Sequence, residues 1–122
     1  MSAIKFFSTN GHPERVDFRR ALLTGQAPDK GLYMPEKIPQ LPGELIQQFP
    51  KMSYPQIAYE AVKPYLGEMV ADSALRSMLD DAYNYDVPVQ KVYDGKYVMR
   101  LDRGPTCSFK DFAARLMGRL IQ

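Results

Sequence analysis

Between Ala27 and Pro42 the chain carries Pro28, Pro35, Pro39 and Pro42, with Gly31 among them. A proline inside a helix removes a backbone donor and clashes with the preceding turn, so no continuous helix crosses this stretch. Ten prolines in 122 residues, mostly placed between apolar runs, extend the constraint to the whole chain. They predict many short elements joined by rigid turns. The apolar segment Leu32-Tyr33-Met34 inside the proline-rich stretch is expected to lie in an ordered loop under the cover of another element.

Around that stretch the sequence predicts an α+β arrangement. Ile4 to Ser8 and Val16 read as short strands about a turn at Asn10-Gly11-His12-Pro13, where asparagine and glycine tolerate positive φ. Asp17 is placed to cap a short helix carrying Phe18, Ala21 and Leu22 on one face, and Gly25 supplies its stop. A longer helix starts after Ser53, with Pro55 just inside, and runs through Ile57, Ala58, Ala61, Val62, Tyr65 and Leu66 to Gly67, its last turn distorted by Pro64. A second begins at Asp72 or Ser73 and buries Leu75, Met78, Leu79, Ala82 and Tyr83. These two helices are the predicted core pair. Lys91 to Tyr93 and Lys96 to Leu101 then flank Asp94-Gly95, which suits a hairpin with a type I′ turn.

The charge balance excludes some functions. Sixteen basic and fourteen acidic residues leave a net charge of +2 spread along the chain, so no polyanionic partner is implied. Arg115 and Arg119 on the last helix lack the interleaved aromatics of a nucleic-acid surface. Cys107 is the only cysteine, which rules out an intramolecular disulfide or a cysteine-rich zinc site and suits a reducing cytoplasm. Met1 to Thr9 has neither the length nor the charge pattern of a secretory leader, and no window has the apolar length of a membrane span.

The chemistry is concentrated in Arg103-Gly104-Pro105-Thr106-Cys107-Ser108-Phe109-Lys110-Asp111-Phe112, followed by the helical stripe Phe112, Ala113, Leu116 and Leu120. Gly104 and Pro105 end the preceding strand, and Ser108 is placed to accept from a free amide of the new helix. Lys110 then falls in the first turn. The positive end of a helix dipole disfavours an ammonium there. That penalty favours the neutral amine, the form able to attack a carbonyl, and a dry pocket would act in the same direction. Asp111 satisfies the helix end. A solvated lysine in a first turn is the commoner use of such a residue.

The string GPTCSFKDF with ARL after it resembles the cofactor-lysine motif of the threonine synthase family, whose usual form is close to HGPTLAFKDFGAR. The opening KFFSTNG, the stretch VDFRRALLTGQAPDKGLYMPEKIPQLP, the segment IAYEAVKPYLGE and DDAYNYDVPV are similar to that family's N-terminal region in order and spacing. The resemblance implies a fold-type II pyridoxal phosphate enzyme that converts O-phosphohomoserine and water to threonine and phosphate. It identifies Lys110 as the residue that holds the cofactor and moves protons. It further implies a boundary, with residues 1–102 as the N-terminal domain and 103–122 as the start of the pyridoxal-phosphate-binding domain.

Asp102-Arg103 stands where the family has Phe-His, and Cys107-Ser108 replaces Leu-Ala. Arg103 is suited to phosphate oxygens but is equally a solvated turn residue. Cys107 reads as a packing residue and His12 as a surface one. The family's phosphate-cradling glycine loop follows the lysine, and Gln122 lies roughly three helical turns beyond Lys110. Gly25, Gly31, Gly67, Gly95 and Gly118 are isolated and form no substitute. The expectation is therefore a threonine synthase N-terminal fragment, inactive alone and without stably bound cofactor. The alternative is a self-contained interaction domain that self-associates through Phe112, Leu116 and Leu120 left uncovered on the last helix.

Overall fold

A computed structural model describes residues 4–122; Met1 to Ala3, part of the segment read for a leader, lie outside the described residues. The fold is α+β. Its elements in order are β1 (Phe6–Ser8), α1 (Phe18–Thr24), β2 (Tyr33–Pro35), α2 (Gly43–Gln48) with a 3-10 turn at Phe49–Lys51, α3 (Tyr54–Leu66), α4 (Asp72–Ala82), β3 (Val89–Tyr93), β4 (Lys96–Met99) and α5 (Asp111–Leu120).

β1 pairs antiparallel with β2, Phe6 opposite Pro35 and Ser8 opposite Tyr33. Val16 joins the other side of Phe6 through a single bridge whose two backbone bonds are 2.8 and 3.0 Å. The expected strand partners at the N-terminus therefore meet, but only at one residue pair. Leu32-Tyr33-Met34 is not a covered loop. Tyr33 and Met34 belong to β2, while Leu32 and Met34 stay 58% and 47% exposed. The prolines allow this because Pro35 ends a three-residue strand, where its missing N–H costs little.

Local signals place the helices. The Asp17 carboxylate accepts from the Arg20 N–H at 2.8 Å, and Gly25, at φ 72°, closes α1. Ser53 and Gln56 make a reciprocal capping box at the start of α3, with Pro55 in its first turn. α3 passes through Pro64 to Leu66 and stops at Gly67. The short α2 and the 3-10 turn after it were not anticipated, since Pro42 and Pro50 mask their six- and three-residue lengths.

The principal core joins three helices. Ala58, Tyr59 and Leu66 of α3 meet Leu75, Leu79 and Ala82 of α4, with Tyr83 and, from α5, Leu116. The predicted α3–α4 pair is its centre; Ala61, expected on the inner face, is exposed, and Tyr59 takes an inner position instead. Phe112 and Leu120 pack on the same cluster. The apolar stripe of α5 is thus directed inward, and only Ala113 of its four residues faces solvent. A second, smaller core of Ile4, Phe6 and Val16 lies beneath α1.

The hairpin concentrates exposed apolar side chains. Every residue of β3 and β4 is exposed, including Val92, Tyr93, Tyr97 and Met99. The hairpin forms as expected, but its turn is not type I′. That turn needs positive φ at both central residues, and only Gly95, at 73°, has it. A register shift between Lys91 and Tyr93 absorbs the mismatch.

Candidate active site

The turn between β4 and α5 is built by short-range bonds. The Cys107 N–H donates to the Gly104 carbonyl at 3.0 Å, and the Asp111 N–H to the Ser108 carbonyl at 3.0 Å. The Lys110 N–H donates to Ser108 Oγ at 3.3 Å, the acceptor role expected of that serine. Cys107 holds φ at 57°, a left-handed conformation uncommon for a residue with a side chain, and its thiol is exposed. Lys110 stands one residue before the helix, at the N-cap with φ −63° and ψ −19°, not inside the first turn as expected.

The residue that holds this turn is Asp111. Its carboxylate, 4% exposed as a residue, accepts from the Thr106 N–H at 2.9 Å and from Thr106 Oγ1 at 2.8 Å. Gly104 packs directly on that carboxyl group. A side chain at 104 would put Cβ 2.8 Å from Asp111 Cβ and 2.9 Å from its Cγ, and closer still to Oδ2. The sequence motif drew attention to Lys110 and overlooked Thr106. A threonine five residues before an aspartate matches no general capping pattern, so only the folded turn reveals the pair.

α5 is clasped to the end of α4. Arg115 Nε donates to the Ala82 carbonyl at 2.6 Å, and its Nη2 donates to the Asp81 carbonyl at 2.8 Å. Arg119 pairs with the Asp81 carboxylate. The two arginines considered for nucleic acid therefore neutralise the carbonyl end of a neighbouring helix. Tyr83 Oη donates to the Phe112 carbonyl at 2.7 Å, and Tyr54, Tyr83 and Tyr85 crowd around the Phe112 ring.

Burial pushes the Tyr83 phenol up to about 12 from its ordinary 10.0, helped by the negative charge that Tyr54 and Tyr85 develop on ionising. The unfolded chain then loses this proton at lower pH than the folded one. The stabilisation is full below pH 10 and disappears as pH rises through about 12. Denaturant titrations across this window should show stability falling with pH. Tyr83→Phe should flatten that slope and lower the plateau at neutral pH by about 1 kcal/mol for the lost hydrogen bond.

The Lys110 side chain is solvent-exposed, and among the described residues its amine has no hydrogen bond or ion pair. The described residues form no dry pocket around it. Arg103 is also exposed. Its neighbour Asp102 pairs with Arg100 at 2.6 Å, which holds the Asp102 carboxyl at about 2. His12 is half-buried; its backbone N–H donates to Asp29 at 2.8 Å. Among the described residues no group of histidine, cysteine or carboxylate side chains is arranged to hold a metal, and no helix is long and apolar enough to cross a membrane.

For pyridoxal phosphate the fit is one-sided. An accessible primary amine matches the aldehyde. The turn offers no cradle for the phosphate, because the N–H groups of Thr106, Cys107, Lys110 and Asp111 already donate within it and Asp111 adds negative charge at the helix start. Two cavities lie elsewhere, one between α1 and the end of α5 and the other between α2 and α3.

Fold and turn together define an α+β protein that presents a lysine amine from a braced strand–turn–helix junction. Residues 5–83 match the family described as "Threonine synthase N terminus". The chain belongs to the threonine synthase family. It is 32% identical to the threonine synthase of Pseudomonas aeruginosa across 97% of its own length and 26% of that protein. It is also 32% identical to the human protein called threonine synthase-like 2, covering 96% of this chain and 25% of that one. The crystal structure of PLP-bound threonine synthase from Brucella melitensis superposes with a TM-score of 0.92 at 31% identity, over 98% of this chain and 27% of that one. The chain thus spans about a quarter of these relatives.

Proposed function

We propose that this chain is the N-terminal part of a pyridoxal-phosphate-dependent threonine synthase and contributes Lys110 to a site whose remaining parts it does not supply. The exposed Lys110 amine on a braced turn, unpaired among the described residues, carries this reading in a chain of this family. Bound pyridoxal phosphate supplies a conjugated ring that takes up electrons released at the substrate carbons. Lys110 Nζ would hold the cofactor's aldehyde carbon and, once displaced by the substrate amine, would take up and return protons as O-phosphohomoserine becomes threonine and phosphate. Asp111 and Thr106 orient the backbone from which the amine projects. Residues 1–102 are taken as the N-terminal domain and 103–122 as the entry to the cofactor-binding domain. The exposed Cys107 thiol suits a reducing cytoplasm.

Alone, the chain is expected to lose pyridoxal phosphate on gel filtration and to release no phosphate from O-phosphohomoserine. Retained, Lys110-dependent cofactor absorbance together with phosphate release would refute the one-sided site.

The exposed hairpin favours a second reading, a self-associating interaction domain. Val92 and Tyr97, 57% and 62% exposed, would be central to such a contact. Sedimentation at rising concentration should then show association in the parent chain and its loss in Val92→Lys/Tyr97→Lys. A parent that stays monomeric removes this reading.

A further inference from the structure

Lys110 follows eight residues that include two breakers, Gly104 and Pro105, and a left-handed Cys107. Such a segment has little intrinsic order, and its own backbone bonds are few. What joins its beginning to α5 is one carboxylate with two partners on a single residue. Asp111 Oδ2 takes the Thr106 N–H and Oδ1 takes the Thr106 hydroxyl. Asp111 is adjacent to Lys110, yet among the described residues the two side chains form no ion pair. The carboxylate is committed inward, and the amine is left free.

The surroundings support this division of roles. Gly104 leaves room for the carboxyl group, which a Cβ there would displace. The Tyr85 hydroxyl is buried without a partner, and the Asp111 charge helps raise its pKa after burial does. The Asp111 carboxylate is itself buried, so little water competes for it and its acceptors are met by Thr106. Phe112, the next residue, is anchored by Tyr83, so the segment is held on both sides of Lys110.

We infer that Asp111 and Thr106 form a positioning pair for Lys110: a staple from the buried Asp111 carboxylate to the exposed Thr106 that closes the turn and sets where the amine stands, without touching the reacting groups. This rests on the reading of Lys110 as the cofactor lysine. Thr106→Val keeps the side-chain shape and the backbone N–H but removes the hydroxyl donor, whereas Thr106→Ser restores it.

The test treats the 122-residue chain with pyridoxal phosphate and borohydride and maps the label at Lys110 against that at the exposed hairpin lysines Lys91 and Lys96. Amide hydrogen exchange over residues 104–112 is measured in parallel. The parent chain should label preferentially at Lys110. Thr106→Val should lose that preference and exchange faster at 104–112 while the exchange of α3 and α4 stays the slowest in the chain. Thr106→Ser should recover both. Asp111→Asn, which trades one acceptor oxygen for an amide, should behave like Thr106→Val. A Lys110 preference unchanged in Thr106→Val and Asp111→Asn would overturn the positioning role and leave the cofactor-lysine reading standing. No preference for Lys110 in the parent chain would likewise overturn the positioning role, whereas the cofactor-lysine reading falls only if Lys110 proves dispensable where the rest of the site is present.

Discussion

Leu79→Ala should lower the unfolding free energy by about 2–5 kcal/mol, the range for emptying a filled core site. Leu79 has no exposed surface and lies at the middle of the cluster that joins α3, α4 and α5. Its side chain fills space bounded by three helices, each anchored by its neighbours, so the cavity closes poorly. A domain of this kind has only about 5–15 kcal/mol in total, and the loss should appear as a lower urea midpoint at unchanged slope. The consequence reaches the lysine turn because α5, which carries Lys110 at its head, packs on this cluster through Leu116. A change below about 1 kcal/mol would mean the site collapses freely and the three helices are not one cooperative unit.

Leu79 also illustrates what the sequence made legible. Leu75, Leu79 and Ala82 repeat at helical spacing, and Ser53 with Pro55 marks a helix start, so α3, α4 and their pairing followed from short-range rules. Elements whose partners are distant in sequence were harder. Leu32 to Met34 looked like a loop because prolines surround it, and its Tyr33 and Met34 become strand only by pairing with Ser8 and Phe7. The direction of the α5 stripe was misjudged for a similar reason. Phe112, Leu116 and Leu120 announce an apolar face, but periodicity does not say which surface receives it. That surface is their own core, completed by Tyr83 and the Arg115 clasp on the Ala82 carbonyl. At the candidate site Lys110 was legible from its motif, whereas the burial of Asp111 and its grip on Thr106 depend on a turn geometry that residue spacing does not encode.

Gly104→Ala carries the second large effect. The new Cβ meets the Asp111 carboxyl group at well under normal contact distance, and neither side can yield easily. Residue 104 is buried backbone, and moving the Asp111 side chain breaks its two bonds to Thr106. Overpacking of this kind costs about 1–3 kcal/mol, with faster exchange of the Thr106 amide as its local signature. Gly118→Ala is the matched control. Gly118 is exposed inside α5 with nothing within 4 Å of an added Cβ, so alanine there should stabilise by roughly 0.5–1 kcal/mol through backbone entropy. The same chemical change should thus have opposite signs at the two ends of one stretch of chain. Equal effects at both positions would show that the close approach at Gly104 is absent in solution.

The proposal to be tested is that Lys110 is the cofactor lysine of a site that these residues do not complete alone. It is tested most directly by placing the chain at the head of the Brucella melitensis threonine synthase, in place of the part that it matches over 27% of that protein. The chimera should retain pyridoxal phosphate through gel filtration and release phosphate from O-phosphohomoserine, and Lys110→Ala should abolish both. A Lys110→Ala chimera that holds cofactor and turns over like its parent, or a folded parent chimera that holds none, would contradict the account.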